Sequence, residues 1–164
     1  ESCCLWGIVD TNDGTLIIYR ELYRKGLTGE QLGSIITEME IEDPFSVTGV
    51  LDTAAWANTG TTGPTVGEAL LRAGHKLRRA DKNRVQGKVQ IHEYLKIRES
   101  GRPKLQIFNT CPNLIRDVDT HASDHAYDAL RYMIMGRPRM VNPLDRIRGL
   151  KRQIYSPSDS TFGY

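Results

Sequence analysis

The alternation of apolar and polar positions predicts a β-hairpin followed by a helix at the start of the sequence. Two β-rich runs, Cys3 to Val9 and Thr15 to Tyr23, flank Asp13-Gly14, a dipeptide that favours a turn between antiparallel strands. Apolar residues then recur at helical spacing from Gly29 to about Glu40, and Thr28 can cap the N-terminus of that helix. A strand pair and a helix are therefore the first predicted unit.

Further along the chain, strand and helix patterns alternate. The predicted strands are Ser46 to Leu51, His75 to Ala80 and Lys104 to Asn109. The predicted helices are Thr65 to Ala73, Val85 to Ile97, Pro112 to Val118, and a last one that begins near Asp124 and ends at Gly136. A hairpin followed by alternating helices and strands predicts an α/β fold in which one mixed sheet is covered by helices on both faces.

Length and composition favour one folded domain. The 164 residues are 39% hydrophobic, which is enough for one core and too little for two ordinary domains. We assign the domain to residues 1–139 and interpret residues 140–164 as a basic tail that contains Ser and Pro. The three cysteines form no CxxC pattern and fit a reducing compartment. No apolar run approaches the roughly twenty residues that span a bilayer, so we expect a soluble, cytoplasmic protein with no membrane partner.

Two carboxylates lie four residues apart on the last predicted helix. Asp124 and Asp128 share one helix face, where like charges oppose each other unless a cation or a hydrogen-bond donor compensates them. Arg131 can form an internal ion pair with either residue, and a divalent metal is the other compensation. A third carboxylate, Asp52, ends a predicted strand, where it can cap the next segment or belong to a site at the edge of the sheet.

Basic residues are concentrated in the middle of the chain. The segment from Arg72 to Lys88 holds many Lys and Arg residues and one acidic residue, Asp81. Because the net charge is only +2, the distribution of charge and not its sum is the informative quantity. A polyanionic partner is one interpretation of this segment, and a solvated surface is the other.

Five stretches of the sequence resemble the C-terminal nuclease domain of tailed-phage large terminase subunits. In chain order they are Gly14 to Tyr23, Leu51 to Trp56, Asp81 to Gly87, Cys111 to Arg116 and Asp124 to Tyr132. The resemblance covers about residues 4–136. It implies an RNase H-like fold that binds two divalent metals, Mg²⁺ or Mn²⁺, and cuts double-stranded DNA during genome packaging. The terminase small subunit and the portal protein are the partners that it implies.

The same resemblance implies which residues hold the metals. In this family one acid lies on the first strand, a second ends a central strand, and a third lies on the last helix. Asp52 matches the second and Asp124 the third, while Asp128 and His121 lie about one turn to either side of Asp124. We therefore expect Asp52, Asp124 and Asp128 to be catalytic, and expect these three and His121 to bind metal. Hard oxygen ligands of this kind suit Mg²⁺ or Mn²⁺.

One part of the family pattern has no match in this sequence. The first acid of the family precedes the strand that matches Cys3 to Val9, and Glu1 falls in the intervening loop, where it is a poor substitute. The ATPase motor domain of the family is absent as well. We therefore expect a fragment of a larger terminase or a prophage remnant that lacks the family's first strand. Its metal binding should be weak, and it should cleave DNA little or not at all by itself.

The resemblance gives the basic segment a role and leaves two alternatives. Arg78, Arg79, Lys82, Arg84 and Lys88 are candidates for contacts with DNA phosphates, which position a duplex without reading its sequence. One alternative is another RNase H-like nuclease, such as a resolvase. The other is a non-catalytic DNA-binding or assembly module of a prophage remnant, in which the acids form structural ion pairs with Arg116 and Arg131.

Overall fold

The computed structural model describes residues 1–58, 63–120 and 124–138. Its elements are β1 (Ser2–Val9), β2 (Leu16–Arg24), α1 (Gly29–Met39), β3 (Thr48–Leu51), a 3₁₀-helix (Thr53–Trp56), α2 (Val66–Arg72), β4 (Lys76–Arg79), α3 (Arg84–Leu95), β5 (Leu105–Ile107), α4 (Pro112–Asp119) and α5 (His125–Met135). The fold of the described residues is therefore α/β, as predicted. Each predicted strand and helix is present, with ends that differ by at most two residues. The predicted tail, residues 140–164, lies outside the described residues.

Local chemistry accounts for the first elements. The turn between β1 and β2 closes with a hydrogen bond of 2.9 Å from the N–H of Gly14 to the carbonyl of Asp10. Gly14 has a φ of 73°, a conformation that glycine adopts without strain. Helix α1 begins with a capping box, because the side chains of Thr28 and Gln31 each accept a hydrogen bond from the other's backbone N–H.

The five strands of the described residues form two separate sheets, whereas the sequence predicted one. In the first sheet β1 pairs antiparallel to β2, and β2 pairs parallel to β5, so this sheet is mixed. In the second sheet β3 and β4 pair in parallel. Within these sheets β1 and β3 each have a neighbouring strand on one side only. Each therefore leaves half of its backbone polar groups without a strand partner.

Helices cover both sides of the first sheet. On one side, α3, α4 and α5 pack on β2 and β5 around a buried cluster that includes Leu16, Ile18, Ile91, Leu114 and Leu130. On the other side, α1 and α2 pack on β1 and β2 around Trp6, Leu22, Leu32 and Leu70. Leu51 of β3 and Leu77 of β4 join this second cluster. The two sheets therefore share the helical layer formed by α1 and α2.

Helix α5 contacts both sheets on their other face. A Cβ atom added to Gly7 of β1 would lie 2.9 Å from the sulfur of Met133. One added to Gly136, directly after α5, would lie 3.0 Å from Cγ1 of Val50 in β3. The absence of side chains at these two glycines lets α5 lie close to both strands.

The same contacts fix the relative directions of β1 and β3. Helix α5 runs along β1 in the same sense, because His125 at its start contacts Glu1 and Met133 near its end contacts Gly7. It runs along β3 in the opposite sense, because Tyr132 contacts Asp52 and the later Gly136 contacts Val50. Strands β1 and β3 therefore run in opposite directions.

Candidate functional site

A cleft of about 1910 Å³ lies between the unpaired edges of β1 and β3. Both strands line it, and α5 forms one of its walls. Asp52 and Asp128 both border this cleft. Two of the three acids that the sequence predicted to be catalytic therefore face the same space.

Asp52 follows β3 directly and caps the 3₁₀-helix. Its Oδ1 atom accepts a hydrogen bond of 3.0 Å from the backbone N–H of Ala54 and lies 3.1 Å from Nζ of Lys82. Its Oδ2 atom accepts a hydrogen bond of 3.1 Å from the hydroxyl of Tyr132. Partial burial opposes ionisation of Asp52, but these donors together outweigh it and hold the pKa of the carboxyl below its usual range. Asp52 is therefore an anion at neutral pH, with a cation beside it.

Asp128 forms an ion pair with Arg131 of the same helix. Both Nε and Nη2 of Arg131 lie 3.1 Å from Oδ1 of Asp128. Arg131 is only 1% exposed, and Gly87 of α3 makes room for it, since a Cβ there would lie 2.4 Å from Cγ of Arg131. The predicted internal ion pair is confirmed for Asp128. Because its partner is buried, removing the charge of Asp128 would leave an uncompensated cation in the interior.

Asp124 caps α5 and lies close to Glu1. Its Oδ1 atom accepts a hydrogen bond of 2.9 Å from the backbone N–H of His125. Nε2 of His125 lies 2.9 Å from Oε2 of Glu1 and 3.8 Å from Oδ1 of Asp124. One ligand atom from each of these three residues lies within 4.8 Å of the others, a spacing that a metal ion could bridge. All three are exposed or partly exposed, so this proximity alone does not define a metal site.

The structure thus separates the predicted metal ligands into two places. Asp52 and Asp128 border the cleft, whereas Asp124 is not among its lining residues and is grouped with Glu1 and His125, which line the cleft at the start of β1. Over residues 1–58, 63–120 and 124–138, Asp52 belongs to no group of three potential ligands within 4.8 Å of one another. His121 lies outside the described residues.

The available donors fit Mg²⁺ or Mn²⁺ in kind, because these hard cations prefer carboxylate oxygens. The charges of the two predicted acids at the cleft are already balanced, that of Asp52 by Lys82 and that of Asp128 by Arg131. The side chain of Lys82 is 52% exposed and can turn into solvent, whereas that of Arg131 is buried. Of these two acids, Asp52 is therefore the one that can exchange its cation more easily.

The residues predicted to contact DNA, called the basic strip below, are all exposed and run along the chain from the end of β4 into α3, and one of them, Lys82, contacts Asp52. They are Arg78, Arg79, Lys82, Arg84 and Lys88. Arg78 and Arg79 end β4, and the others lie just beyond it and in α3. The guanidinium of Arg79 lies 5.2 Å from the ring centre of Trp56, whereas that of Arg78 donates a hydrogen bond to the carbonyl of Gly136, so these two neighbours lie on opposite faces of β4. Lys82 connects the strip to the acid at the end of β3.

Two neighbours of the predicted acids were not identified from the sequence. Glu1 reaches Asp124 only because β1 lies alongside α5, a tertiary relation that no local pattern shows. Tyr132 contacts Asp52, and its spacing of four residues from Asp128 could have placed it on the same helix face. The four-residue spacing on α5 could therefore have identified Tyr132 as a neighbour of the predicted acids, whereas no local spacing could have identified Glu1.

No protein-family model matches this chain, and searches of curated proteins and of solved structures found no significant similarity. Within the described residues, every helix is too short or too polar to cross a lipid bilayer.

Proposed function

We propose that this chain is the nuclease domain of a phage or prophage terminase large subunit, with an RNase H-like fold, and that it hydrolyses double-stranded DNA with two divalent metals. The observation that carries the proposal is the contact between α5 and the end of β3. Through it, Asp128 and Tyr132 of the last helix lie at the same cleft as Asp52. The sequence resemblance implies this pairing of an acid that ends a strand with acids on the last helix.

In the proposed site Asp52 and Asp128, which both border the cleft, would hold metal there, and Asp124 and His121 are the further ligands that the resemblance implies. The bound metals supply an activated water and stabilise the leaving oxygen of the phosphodiester. The protein itself keeps the carboxyl of Asp52 ionised and oriented, because the backbone N–H of Ala54 and the hydroxyl of Tyr132 donate hydrogen bonds to it. Lys82 balances that charge in the metal-free protein and, once displaced, lies within the basic strip where a DNA phosphate would bind.

The basic strip supplies the proposed duplex contacts. Its members are exposed and one of them, Lys82, contacts the acid at the end of β3, so a duplex held at Lys82 would present a phosphate to Asp52. Phosphate contacts of this kind carry no sequence information, so these residues do not determine the DNA sequence at which the proposed cutting occurs. In the full assembly, the terminase small subunit and the portal protein are the proposed partners, in the cytoplasm of the bacterial host.

Cleavage by residues 1–164 alone should be weak, since two metals need more carboxylates than Asp52 and Asp128 supply at the cleft. The test is a nicking assay on plasmid DNA with Mn²⁺, using this chain and a fusion that restores the family's first strand with its acid. We expect strong cutting by the fusion only, with loss of activity in EDTA and in Asp52→Asn. Glu99→Gln, at an exposed acid in the loop after α3, should cut normally. Normal cutting by Asp52→Asn would contradict the proposed site.

A non-catalytic DNA-binding or assembly module is the second candidate, and the neutralised acids favour it. Asp52 and Asp128 each have a cationic partner, as structural ion pairs do. The two candidates differ in what Asp52→Asn does to the fusion. Cleavage by the parent fusion that is lost in a folded Asp52→Asn variant supports the nuclease, whereas a parent fusion that never cuts, together with a lowered unfolding midpoint in Asp52→Asn, supports the structural role.

A further inference from the structure

Acidic and basic residues occupy separate stretches of the chain. Residues 26–71 contain seven acidic residues and no Lys or Arg, whereas residues 72–88 contain seven Lys or Arg residues and one acidic residue. Some of these charges are balanced within the fold, as in the ion pairs of Asp43 with Arg20 and of Asp52 with Lys82. Others are exposed, and their positions decide whether the separation of charge in sequence is also a separation in space.

The first exposed group lies at the end of α1 and is acidic. Just beyond the helix the N–H of Ile41 still bonds to the carbonyl of Glu38, at 3.4 Å, so Glu38, Ile41 and Glu42 follow one another at helical spacing. Ile41 is 81% exposed. Among the described residues neither glutamate has an ion-pair partner. We call Glu38, Ile41 and Glu42 the acidic face.

The second exposed group lies at the start of α3 and is basic. Arg84 and Lys88 lie one turn apart, and Val85 and Val89 form the neighbouring row on the helix. The helix packs on the fold through its opposite side, which leaves Val85 77% and Val89 48% exposed. In the part of the chain that the structure describes, Arg84 and Lys88 form no ion pair. We call these four residues the α3 face.

The two faces complement each other in charge and in apolar content. Each has two like charges beside an apolar side chain that is largely exposed, and the charges of the two faces are opposite in sign. Apolar side chains at the centre and charges at the rim are the usual composition of a protein–protein contact. A contact between the faces would bury Ile41 against Val85 and Val89 and place the two glutamates near Arg84 and Lys88.

A single copy of the chain cannot join its own two faces. Helix α1 packs in the cluster around Trp6 and Leu32 on one side of the first sheet, whereas α3 packs in the cluster around Ile91 and Leu130 on the other side. The acidic face and the α3 face therefore lie on opposite sides of the molecule. Two copies that join unlike faces form a head-to-tail contact, which leaves one free face at each end.

We propose that the α3 face of one copy of this chain binds the acidic face of a second copy. Both faces are small, so the contact belongs to the low end of the range of interface sizes and association depends on concentration. Opposite charges at the rim make the association sensitive to salt. The proposal does not rest on the proposed nuclease function, because the contact requires neither metal nor DNA.

The test is sedimentation equilibrium of residues 1–164, purified free of nucleic acid, at chain concentrations up to about 1 mM. The average mass should rise with concentration past that of two copies, because each added copy presents a new free face. It should fall when the salt is raised from roughly 0.05 to 0.5 M. Val85→Ser keeps every charge and should weaken association roughly tenfold, the effect of losing one buried apolar side chain.

Two double variants with reversed charges identify the faces. Arg84→Glu with Lys88→Glu makes both faces acidic, and Glu38→Lys with Glu42→Lys makes both faces basic. Each double variant alone should be monomeric, because its two faces repel each other. An equal mixture has opposite charges at every contact and should associate again, which also shows that both variants are folded. Arg102→Glu, in the loop between α3 and β5, is the control and should associate like the parent.

Four results would overturn the proposal. The first is a parent chain that stays monomeric at about 1 mM in low salt. The second is a mass that stops at two copies, which indicates a two-fold dimer. The third is association of the separate double variants that equals that of the parent, or a mixture that stays monomeric although both variants keep the parent's circular dichroism spectrum. The fourth is association that disappears once nucleic acid is removed, which would assign it to bridging by that polyanion.

Discussion

The hydroxyl of Tyr132 donates a hydrogen bond of 3.1 Å to a carboxylate oxygen of Asp52, which ties the last helix to the end of β3. Burial of the phenol and the adjacent carboxylate both raise the pKa of Tyr132, so its hydroxyl keeps its proton at neutral pH. The pair is therefore a neutral donor on an anionic acceptor, a combination stronger than a bond between two neutral groups. It fixes one oxygen of Asp52 at the cleft.

Replacing this donor should shift the titration of Asp52. In Tyr132→Phe, the pKa of Asp52 should rise toward its ordinary value of 3.8, because one of the donors that lower it is lost. We also expect the free energy of unfolding at pH 7 to fall by about 1 kcal/mol, the usual net value of one hydrogen bond. An NMR titration of the Asp52 carboxyl and denaturant unfolding at several pH values measure these two effects.

The pH dependence has a defined sign. The pKa of Asp52 is lower in the folded state, so its contribution to stability is present above the unfolded-state pKa and disappears as the pH falls through the folded-state pKa. The difference between Tyr132→Phe and the parent should therefore shrink in acid. Tyr94→Phe, in the core under the first sheet, is the control and should leave the titration of Asp52 unchanged. Equal stability of Tyr132→Phe and the parent at pH 7 would contradict the role of this bond.

Local sequence signals predicted most of the secondary structure. The dipeptide Asp13-Gly14 places a glycine where φ is positive, and Thr28 forms the cap that begins α1. Asp52 also caps the segment that follows it, as its position after a strand suggested. These features depend on residues a few positions apart, so short-range patterns are sufficient to find them.

The arrangement of the strands could not be predicted in the same way. Apolar periodicity shows that β1 and β3 are strands but does not specify which strand edges pair. Pairing depends on which strand lies beside each edge in the folded protein. The grouping of Glu1 with Asp124 likewise arises from α5 lying along β1. Arg131 was expected to pair with an acid on its own helix. Its burial, however, depends on Gly87 of another helix, where any larger residue would occupy the space that Arg131 fills.

Gly87→Ala should destabilise the protein although alanine favours helices. On an open helix surface this change stabilises by roughly 1 kcal/mol. Here the new Cβ would lie 2.4 Å from Cγ and 2.6 Å from Cδ of Arg131, so the buried arginine has to move and its ion pair with Asp128 is strained. Overpacking of this kind costs about 1–3 kcal/mol, which reverses the sign of the effect. Urea unfolding measures it through the midpoint.

The neighbouring exposed position provides the comparison for that experiment. Lys88→Ala, one residue further along α3, changes a solvent-facing side chain and should alter the midpoint little. A raised midpoint in Gly87→Ala would show that Arg131 is not held against α3 as described.

Lys82→Gln should tighten the binding of Mn²⁺ if Asp52 is a metal ligand. The ammonium of Lys82 lies 3.1 Å from Oδ1 of Asp52 and competes for the same negative charge. An exposed ion pair contributes at most about 1 kcal/mol, so removing the competitor should lower the Kd by roughly fivefold. Isothermal titration calorimetry at low salt measures this change. Lys88→Gln removes the same charge elsewhere on the basic strip, and an equal gain in both variants would indicate a general charge effect and not a site at Asp52.

Binding of duplex DNA should depend steeply on salt and on the basic strip. Each phosphate contact releases counterions, so the logarithm of the affinity should fall linearly with the logarithm of the salt concentration, by about 0.9 per contact. Arg84→Gln and Lys88→Gln should each weaken binding to all sequences equally and reduce that slope by nearly one contact. Fluorescence anisotropy titrations at salt concentrations from about 50 to 200 mM give the slopes. Lys96→Gln, at the other end of α3 beside Glu93, should leave the slope unchanged, and an equal loss in that variant would mean that the strip does not position DNA.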